Sequence, residues 1–247
     1  MLTKQRHEMI LKLLEEKGSI TVTEIRDLLK ASESTVRRDI TALDKEGRLV
    51  KVFGGAIANK QSVTSHEYTV AQKEDFSREE KEKIGKFAAS FIEPEDFIYL
   101  DAGTTTAYML NYIEEKSATY VTNAVVHAQR LVAKGMKVLL IGGELKASTE
   151  AVIGSQAVQT IKNYHFTKGF FGVNGVTRQS GFTTPDASEA AVKQAAVEQC
   201  RKSFILCDYS KFDEISSVTF ASFYEGEIIT DRRISGYEDC KNIMIAR

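Results

Sequence analysis

Cysteine is scarce in this sequence, and the few cysteines present suit neither a disulfide framework nor a metal site. Only Cys200, Cys207 and Cys240 occur in 247 residues. Three is an odd number, and none of them stands in the Cys-x-x-Cys or Cys/His spacing that zinc sites use. We therefore expect reduced cysteines and no metal, and no other feature of the sequence calls for a cofactor.

Long apolar runs are also missing. No stretch approaches the roughly 20 consecutive apolar residues that cross a bilayer, although 43% of the residues are hydrophobic. The apolar core of a signal peptide is missing too, because Lys4, Arg6, Glu8 and Lys12 interrupt the first segment. The sequence predicts a cytoplasmic protein with no membrane partner and enough length for one or two buried cores.

Net charge is nearly absent, at -1 for the whole chain, but it is unevenly distributed. Residues 1–60 carry twelve Lys and Arg against nine Asp and Glu, a net charge of +3, which leaves -4 for residues 61–247. A modest basic excess at one end indicates where the phosphates of a nucleic acid would be met.

Apolar residues at helical spacing predict three helices near the start of the chain. The first helix covers residues 3–17, and after a short extended segment Thr23 caps the second. A turn over residues 31–33 leads to the third helix, which begins at Ser32 or Glu33. Two helices joined by a turn of this length form a helix-turn-helix, the unit that places its second helix in the major groove of DNA.

The spacing of apolar residues predicts which side of the third helix packs against the core. Val36, Ile40 and Leu43 share one side and predict its buried face. Arginine can grip guanine or a phosphate, and Ser and Thr suit either target, although a paired arginine is also common on a solvated helix face. Asp39 would repel phosphate, so we expect it to pair with a neighbouring arginine or with a residue on another helix. The DNA-facing candidates here are Ser34, Thr35, Arg37, Arg38, Thr41 and Lys45.

A short hairpin is predicted after the third helix. Gly47 ends the helix, residues 48–56 alternate as strands do, and Gly54-Gly55 terminates the hairpin. The side chains expected to face the core are Leu49 and either Val52 or Phe53. Lys51 faces the other way, where a basic hairpin can lie along the DNA backbone.

The first sixty residues thus carry a long and specific motif. It comprises Arg6, Ile10 and Leu14 at four-residue intervals, the run from Ser32 to Ile40, and Leu43, Gly47 and Gly54-Gly55. This motif resembles the N-terminal signature of the DeoR family of bacterial transcriptional regulators. The resemblance implies a winged helix-turn-helix in residues 1–60 that binds double-stranded operator DNA.

The rest of the chain predicts an α/β domain. Residues 61–74 are polar and read as a linker, and a helix from Ser77 to Phe91 follows, with Ser77 as its cap. Apolar strand-like runs then alternate with helical segments, at 97–100, 119–121, 137–141, 169–173, 204–207 and 228–230. This alternation favours a mostly parallel sheet covered on both faces. The expected fold class is therefore α/β, with a winged helix-turn-helix before a mostly parallel sensor domain over residues 75–247.

Ligands of such sheets bind beyond the carboxyl ends of the strands. The first run leads into Asp101-Ala102-Gly103-Thr104-Thr105-Thr106 and then into a helix, a context in which backbone N–H groups and hydroxyls hold a phosphate. Asp101 could instead hold the loop, and an isolated glycine or lysine here is often only a turn or a solvated side chain. The ligand-binding candidates are Asp101, Gly103, Thr104, Thr105, Thr106, Asn123, Gly142, Gly143, Asn174, Asp186, Lys193, Asp208 and Lys211.

This region also resembles the C-terminal domain of the DeoR family, which implies a fold similar to ribose 5-phosphate isomerase and a phosphorylated sugar as effector. Residues 172–176, 181–186 and 189–193 are most similar to the subgroup that represses fructose operons, which implies fructose 1-phosphate and a repressor that the effector releases. We expect a homodimer or homotetramer, assembled through the C-terminal domains, that binds repeated half-sites.

Two other functions stay open. The chain could be a sugar-phosphate isomerase fused to a DNA-binding head, but proton transfer needs a carboxylate base. Asn174 offers an amide where isomerases carry acidic residues, although Asp101, Asp186 or Asp208 could substitute. The remaining alternative is an activator or architectural DNA-binding protein that has no ligand.

Overall fold

The chain divides into two compact units, Met1–Ser62, here called the head, and Val63–Arg247, here called the sensor unit. The computed structural model describes residues 3–46, 48–58, 63–64 and 76–247. Gly47, predicted to end the third helix, and most of the predicted linker 61–74 lie outside these described residues. No helix in the described ranges is long and apolar enough to cross a membrane.

The described part of the head contains three helices and a three-stranded antiparallel sheet. Its elements are α1 (Thr3–Lys17), β1 (Ser19–Thr21), α2 (Val22–Leu29), α3 (Glu33–Lys45), β2 (Val50–Val52) and β3 (Gly55–Ile57). The strand order is β1-β3-β2. Its core is formed by apolar residues that include Ile10, Leu14, Ile25, Val36, Ile40, Leu43 and Leu49. The predicted inward face of the third helix is confirmed.

The second helix begins earlier than predicted, because Thr21 and not Thr23 is its cap. The Thr21 hydroxyl accepts a hydrogen bond from Glu24 N at 3.2 Å, and the Glu24 carboxylate accepts one from Thr21 N at 2.8 Å. This reciprocal capping box requires a glutamate or glutamine three residues after the cap. Thr21 has one and Thr23 does not, so the sequence itself carried the correct signal.

The hairpin after α3 also differs from its prediction. Val52 and Phe53 are exposed instead of facing the core. Gly54, with φ +82°, lies in the turn, so the glycine pair is at the tip of the hairpin and not at its end. Gly55 begins β3, where an added Cβ would lie 2.1 Å from the Ile20 carbonyl oxygen. The pair is needed for the turn and for this close approach of β1.

The described part of the sensor unit is an α/β fold. Its helices are α4 (Arg78–Ala89), α5 (Thr104–Met109), α6 (Val125–Ala133), α7 (Ser155–Lys162) and α8 (Ala187–Glu198). Its strands are β4 (Val63–Thr64), β5 (Phe97–Leu100), β6 (Thr119–Thr122), β7 (Lys137–Leu140), β8 (Glu144–Leu145), β9 (Val152–Ile153), β10 (Lys168–Gly172), β11 (Gly175–Thr177), β12 (Gly181–Thr184), β13 (Ser203–Leu206), β14 (Ile215–Ser216), β15 (Val218–Ala221), β16 (Glu227–Thr230) and β17 (Ile243–Ile245).

Seven of these strands form one parallel sheet in the order β17-β16-β13-β10-β5-β6-β7. This confirms the α/β class and the six predicted strands, and it adds β17. Successive residues of a strand face opposite sides of the sheet. Tyr99 packs into one apolar cluster, whereas Ile98 and Leu100 pack into the other. Burial on both faces explains why these strands are continuous apolar runs.

Two local features of the sensor unit depart from the sequence predictions. Ser77 stands at the N-cap position of α4 with φ +52°, but its side chain makes no capping hydrogen bond. Val63–Thr64, inside the predicted linker, pairs in parallel with Ile215–Ser216. That pairing joins segments far apart in the chain, so no local pattern could reveal it.

Candidate DNA interface and effector site

The predicted DNA-facing side chains of α3 lie away from the buried face of that helix. Ser32 caps α3 by accepting a hydrogen bond from Thr35 N at 3.3 Å. Residues on the outer face are exposed or half-buried: Ser34, Arg37, Arg38 and Lys45 are exposed, and Thr35 and Thr41 are half-buried. This basic and hydroxyl-bearing face has the chemistry that base edges and phosphates require.

The two arginines of α3 differ in what holds them. Arg37 forms an ion pair with Glu33 one turn earlier, with N and O 2.7 Å apart. Arg38 donates from Nε to the Ser34 carbonyl oxygen at 3.4 Å, and it has no ion-pair partner among the residues described in the head. Most of the N–H donors of Arg38 are therefore open, in the planar fork that suits guanine or a phosphate.

Asp39 pairs with another helix, which decides between the alternatives that the sequence left open. Arg6 of α1 reaches both carboxylate oxygens, at 2.7 Å from Nε and 2.9 Å from Nη2. Burial by itself would raise the pKa of Asp39. The hydrogen bond and the charge of Arg6 lower this pKa by more than burial raises it, so it lies below its ordinary value. The bidentate pair fastens the inner side of α3 to α1.

The hairpin is fastened to the outer side of α3. Lys51 N donates to Asp44 Oδ1 at 2.8 Å, and Lys51 Nζ donates to Thr41 Oγ1 at 3.0 Å. The basic hairpin therefore lies beside the exposed face of α3 as a wing. Phe53, at its tip, is fully exposed, which is rare for phenylalanine. The sequence predicts either Val52 or Phe53 to face the core, so it does not identify Phe53 as a surface candidate.

In the sensor unit, the fold joins Asp101 and Lys193 at the carboxyl end of the sheet. Asp101 follows β5, and its Oδ2 accepts a hydrogen bond from Gly172 N at 3.0 Å. Asp101 also forms an ion pair with Lys193 of α8, whose Nζ donates to the Gly172 carbonyl oxygen at 3.0 Å. Both side chains are buried. Two candidates 92 residues apart in the chain thus form one site.

The loop after Asp101 is shaped by Thr106. Its hydroxyl accepts a hydrogen bond from Gly103 N at 3.0 Å and contacts the Asp101 carbonyl oxygen at 2.7 Å. Thr106 is fully buried, so this hydroxyl holds the loop. Thr104 and Thr105 begin α5, and their hydroxyls have no hydrogen-bond partner among the described residues. These hydroxyls and the first N–H groups of α5 are the groups of this loop that suit an anion.

Asn123 links two loops at the same edge of the sheet. Its Oδ1 accepts a hydrogen bond from Ala102 N at 3.2 Å, and its Nδ2 donates to the Val152 carbonyl oxygen at 3.1 Å. The side chain is buried. Asn123 therefore lies against the Asp101 loop, with both ends of its amide engaged.

A second group of charges lies at the start of α8. Asp186 caps the helix by accepting from Glu189 N at 2.8 Å, and Lys146 Nζ lies 3.0 Å from Asp186 Oδ2 and 3.3 Å from Glu189 Oε1. Burial by itself would raise the pKa of Asp186. The Glu189 N–H and the Lys146 ammonium lower this pKa by more than burial raises it, so it lies below its ordinary value. Glu189 and Lys193 are one helical turn apart, so both charge groups share one side of α8. Sequence reasoning did not identify Lys146.

Three further candidates have local contacts. An added Cβ at Gly143 would lie 2.5 Å from the Ile153 carbonyl oxygen, whereas Gly142 has room for one. Asn174 Oδ1 accepts a hydrogen bond from Thr184 Oγ1 at 3.3 Å. Close packing of β9 thus accounts for the glycine at 143.

Asp208 and Lys211 form a turn of their own after β13. Asp208 is buried and accepts from Ser210 N at 3.0 Å, and Lys211 Nζ lies 3.1 Å from Ser210 Oγ. No hydrogen bond between described residues joins this turn to Asp101. β13 lies next to β10 in the sheet, so this turn also follows a strand end at the same edge of the sheet as the Asp101 loop.

His127 of α6 is a buried imidazole that sequence reasoning missed. Its side chain is almost fully buried, and Nδ1 has no hydrogen-bond partner among the described residues. Burial lowers its pKa to about 4, although the negative charge of nearby Asp101 acts in the opposite direction. A lone histidine within a helix carries no sequence signal of such surroundings.

A winged helix-turn-helix followed by an α/β unit with charged and polar groups at its strand ends defines a class, the DNA-binding regulators with a sensor domain. The chain belongs to the DeoR family of transcriptional regulators. Residues 6–62 match the DeoR-like helix-turn-helix domain, and residues 76–232 match the DeoR C terminal sensor domain. The protein is therefore a regulator and not an enzyme.

Similar proteins carry regulator names. The uncharacterized HTH-type transcriptional regulator FruR of Bacillus subtilis is 41% identical over 93% of this chain and 91% of its own length. The lactose phosphotransferase system repressor of Streptococcus mutans is 34% identical, over 91% of this chain and 89% of its own. The repressor GlcR of Bacillus subtilis is 31% identical, over 94% and 90%.

Solved structures resemble about half of the chain. A D-ribose-5-phosphate isomerase in complex with phospho-erythronic acid aligns with a TM-score of 0.42 and 15% identity, over 55% of this chain and 54% of that one. The eIF2B delta subunit of Chaetomium thermophilum aligns with a TM-score of 0.42 and 16% identity, over 60% and 58%. Likeness at this level says nothing about activity.

Proposed function

We propose that the protein represses an operon for the utilisation of a sugar, and that this sugar is fructose. A phosphorylated sugar such as fructose 1-phosphate binds the repressor and releases it from the operator. A relative supports a sugar operon by name, since the Streptococcus mutans protein is called a lactose phosphotransferase system repressor. Fructose is supported by the similarity to FruR and by the motifs at 172–176 and 181–186.

The observation that carries the effector proposal is the loop between β5 and α5. It presents helix N–H groups and threonine hydroxyls that have no hydrogen-bond partner among the described residues, and it follows Asp101, whose carboxylate pairs with the buried Lys193 ammonium. A phosphate is bound by this combination of backbone N–H groups, hydroxyls and positive charge. The sugar hydroxyls would meet the remaining candidates, which are Asn123, Gly142, Gly143, Asn174, Asp186, Asp208 and Lys211.

The arrangement along the chain is part of the same proposal. Residues 1–60 bind the operator, and residues 61–74 link this domain to the sensor domain. Residues 75–247 bind the effector and assemble a homodimer or homotetramer. Two heads carried by one assembly bind two half-sites separated by whole turns of DNA. The contacts to DNA are assigned to Ser34, Thr35, Arg37, Arg38, Thr41, Lys45 and Lys51.

Thermal melting with a panel of sugar phosphates tests the effector. Fructose 1-phosphate at about 100 times its dissociation constant should stabilise the folded state by about 2.7 kcal/mol, whereas fructose and inorganic phosphate should do so far less. Thr104→Val removes an unpartnered hydroxyl from the loop and should reduce the shift. Thr160→Val, whose hydroxyl only contacts the Gln156 carbonyl oxygen in α7, is the matched control and should keep it.

The same screen separates the alternatives. If no sugar phosphate raises the melting temperature at millimolar concentration, the proposed effector site is wrong and a DNA-binding protein without a ligand is favoured. Conversion of ribose 5-phosphate or fructose 1-phosphate by the purified protein would contradict the regulator assignment. The Asn174 amide argues against such turnover, because it cannot take up the proton that an isomerase must move.

A further inference from the structure

The outermost strand of the parallel sheet, β7, is exposed although its sequence is apolar. Leu139 and Leu140 have 36% and 48% of their surface exposed, whereas the inner strands of the sheet are almost entirely buried. β17, at the opposite edge, is half-buried along its whole length. A run such as Val138-Leu139-Leu140-Ile141 is typical of a strand that is covered on both faces.

The exposure of β7 belongs to a larger apolar surface. Seven large apolar side chains are exposed in the described part of the sensor unit, and five of them lie in α6, β7 and β8. These five are Val126, Val132, Leu139, Leu140 and Leu145, and they are here called the edge surface. The other two are Phe76 and Tyr224. α6 packs against β7, and exposed apolar side chains grouped on adjoining elements often mark an interaction site.

The backbone of β7 adds to this surface. Within the described ranges, β6 is the only strand that pairs with β7, so no described strand covers the outer edge of β7. An open edge presents N–H and C=O groups that can pair with another strand, and proteins usually protect it with charges, proline or a bulge. The run 138–141 has no charge and no proline. This edge has the chemistry of a strand that pairs with a further strand.

The charges of the segment that begins with β7 indicate which further strand pairs with its edge. Lys137 begins the strand and Glu144 follows shortly after its end; both are exposed, and neither has an ion-pair partner among the described residues. Glu144 begins β8, four residues after β7 ends, and the segment 137–144 with a positive charge at its start and a negative one at its end is complementary to a reversed copy of itself. Reversal about a two-fold axis is the symmetry of most homodimers.

We infer that the edge surface is the contact between two copies of this chain. β7 pairs with β7 of the second copy in the antiparallel direction, which continues the sheet across the two-fold axis. Lys137 of each copy then approaches Glu144 of the other, and the exposed leucines are covered. The inference rests on the proposed homo-oligomer and names the surface that forms it.

Sedimentation velocity of the full-length chain tests the surface. The wild-type protein should be a dimer or a larger even assembly at micromolar concentration. Leu140→Lys places a charge in the centre of the contact and should shift the protein to half that mass. Tyr224→Lys makes the same change at the exposed aromatic residue outside the edge surface and should leave the assembly intact. Tyrosine fluorescence melting checks that both variants are folded.

A charge exchange tests the antiparallel arrangement. Lys137→Glu and Glu144→Lys should each weaken association about tenfold, because each brings two like charges together. The double variant restores opposite charges and should associate nearly as tightly as the wild type. A monomeric wild-type protein would overturn both this inference and the proposed oligomer. A dimer that survives Leu140→Lys, or single charge variants that the double variant fails to rescue, would overturn the inference alone.

Discussion

Arginine has two uses in the head, and the structure separates them. Arg6 is tied to the buried Asp39 and holds α1 against α3, so it contributes to the shape of the head. Arg38 lies on the outer face with most of its donors open, so it contributes little to folding and is available for DNA. The difference depends on which carboxylate each guanidinium meets.

Arg38→Ala should therefore impair DNA binding without unfolding the head. One bidentate contact is worth about 1–3 kcal/mol, or roughly 5- to 150-fold in affinity. The measurement is fluorescence anisotropy with a duplex that the wild-type protein has selected from a random library. Arg26→Ala removes an exposed arginine of α2 that is paired with Asp27, and it should bind normally. Loss of helical structure in Arg38→Ala would show that the orientation of α3 is wrong.

His127 makes the sensor unit sensitive to mild acid. Its pKa is ordinarily near 6.5 and is lowered to about 4 in the folded chain, so the unfolded chain binds a proton over a pH range in which the folded chain does not. Stability is then complete above about pH 6.5 and falls as the pH decreases toward 4, by up to about 3 kcal/mol.

Urea unfolding followed by tyrosine fluorescence between pH 7.5 and 4.5 measures this effect. The signal reports on residues 63–247 alone, because all nine tyrosines lie in that range. His127→Gln should flatten the pH dependence, whereas His165→Gln, at an exposed position, should keep the wild-type slope. An unchanged slope in His127→Gln would assign the acid sensitivity to other groups.

The cap of α2 lies two residues before the position predicted from the sequence, and this shift changes which threonine is expected to stabilise the helix. Thr21 and Glu24 satisfy each other's backbone N–H groups, whereas Thr23 is an exposed residue of the first turn. Thr21→Ala should destabilise the head by about 1 kcal/mol, which corresponds to roughly fivefold faster hydrogen exchange of α2 amides where exchange follows unfolding. Thr23→Ala should have little effect. Equal effects of the two substitutions would contradict the capping box.

The two units must be energetically coupled if an effector in the sensor unit is to release DNA from the head. A coupling of about 1–3 kcal/mol lowers the affinity for operator DNA by roughly 5- to 150-fold. Linkage is reciprocal, so saturating operator DNA should weaken the binding of fructose 1-phosphate by the same factor, as measured by titration calorimetry. Arg38→Ala should bind the sugar phosphate normally and lose only the effect of DNA. If operator DNA leaves the affinity for fructose 1-phosphate unchanged, the two sites are not coupled and the proposed release mechanism is wrong.

The assembly is the other property of the complete protein that matters for this coupling. In the proposed mechanism the effector releases DNA by changing how two heads meet two half-sites, and the edge surface at β7 is the contact through which the sensor units would hold them. Gly142 and Gly143, candidates for the effector, stand between β7 and β8 in the chain. An effector bound there would lie close in sequence to the proposed contact between copies.

Much of the fold was predictable because helices and strands leave local patterns. Val36, Ile40 and Leu43 recur at helical spacing and are buried as predicted, and the apolar runs of the parallel sheet are strands. The errors arose where two local signals competed or where one was overlooked. Thr21 and Thr23 both lie at the start of α2, but only Thr21 has a glutamate three residues later, and Val52 and Phe53 are apolar residues of a hairpin whose tip projects from the core.

The sequence by itself determined the class of protein, the six inner and edge strands predicted for the parallel sheet of the sensor unit, and the inner face of α3, because each depends on spacings within a few turns or strands. Only the tertiary structure decided that Asp39 meets Arg6, that Lys193 meets Asp101, that His127 lies buried nearby, and that β7 has an open apolar edge. These facts depend on segments far apart in the chain that meet when the sheet and its helices pack. Contacts of that kind leave no local pattern, since their energy comes from burial and charge pairing between distant residues.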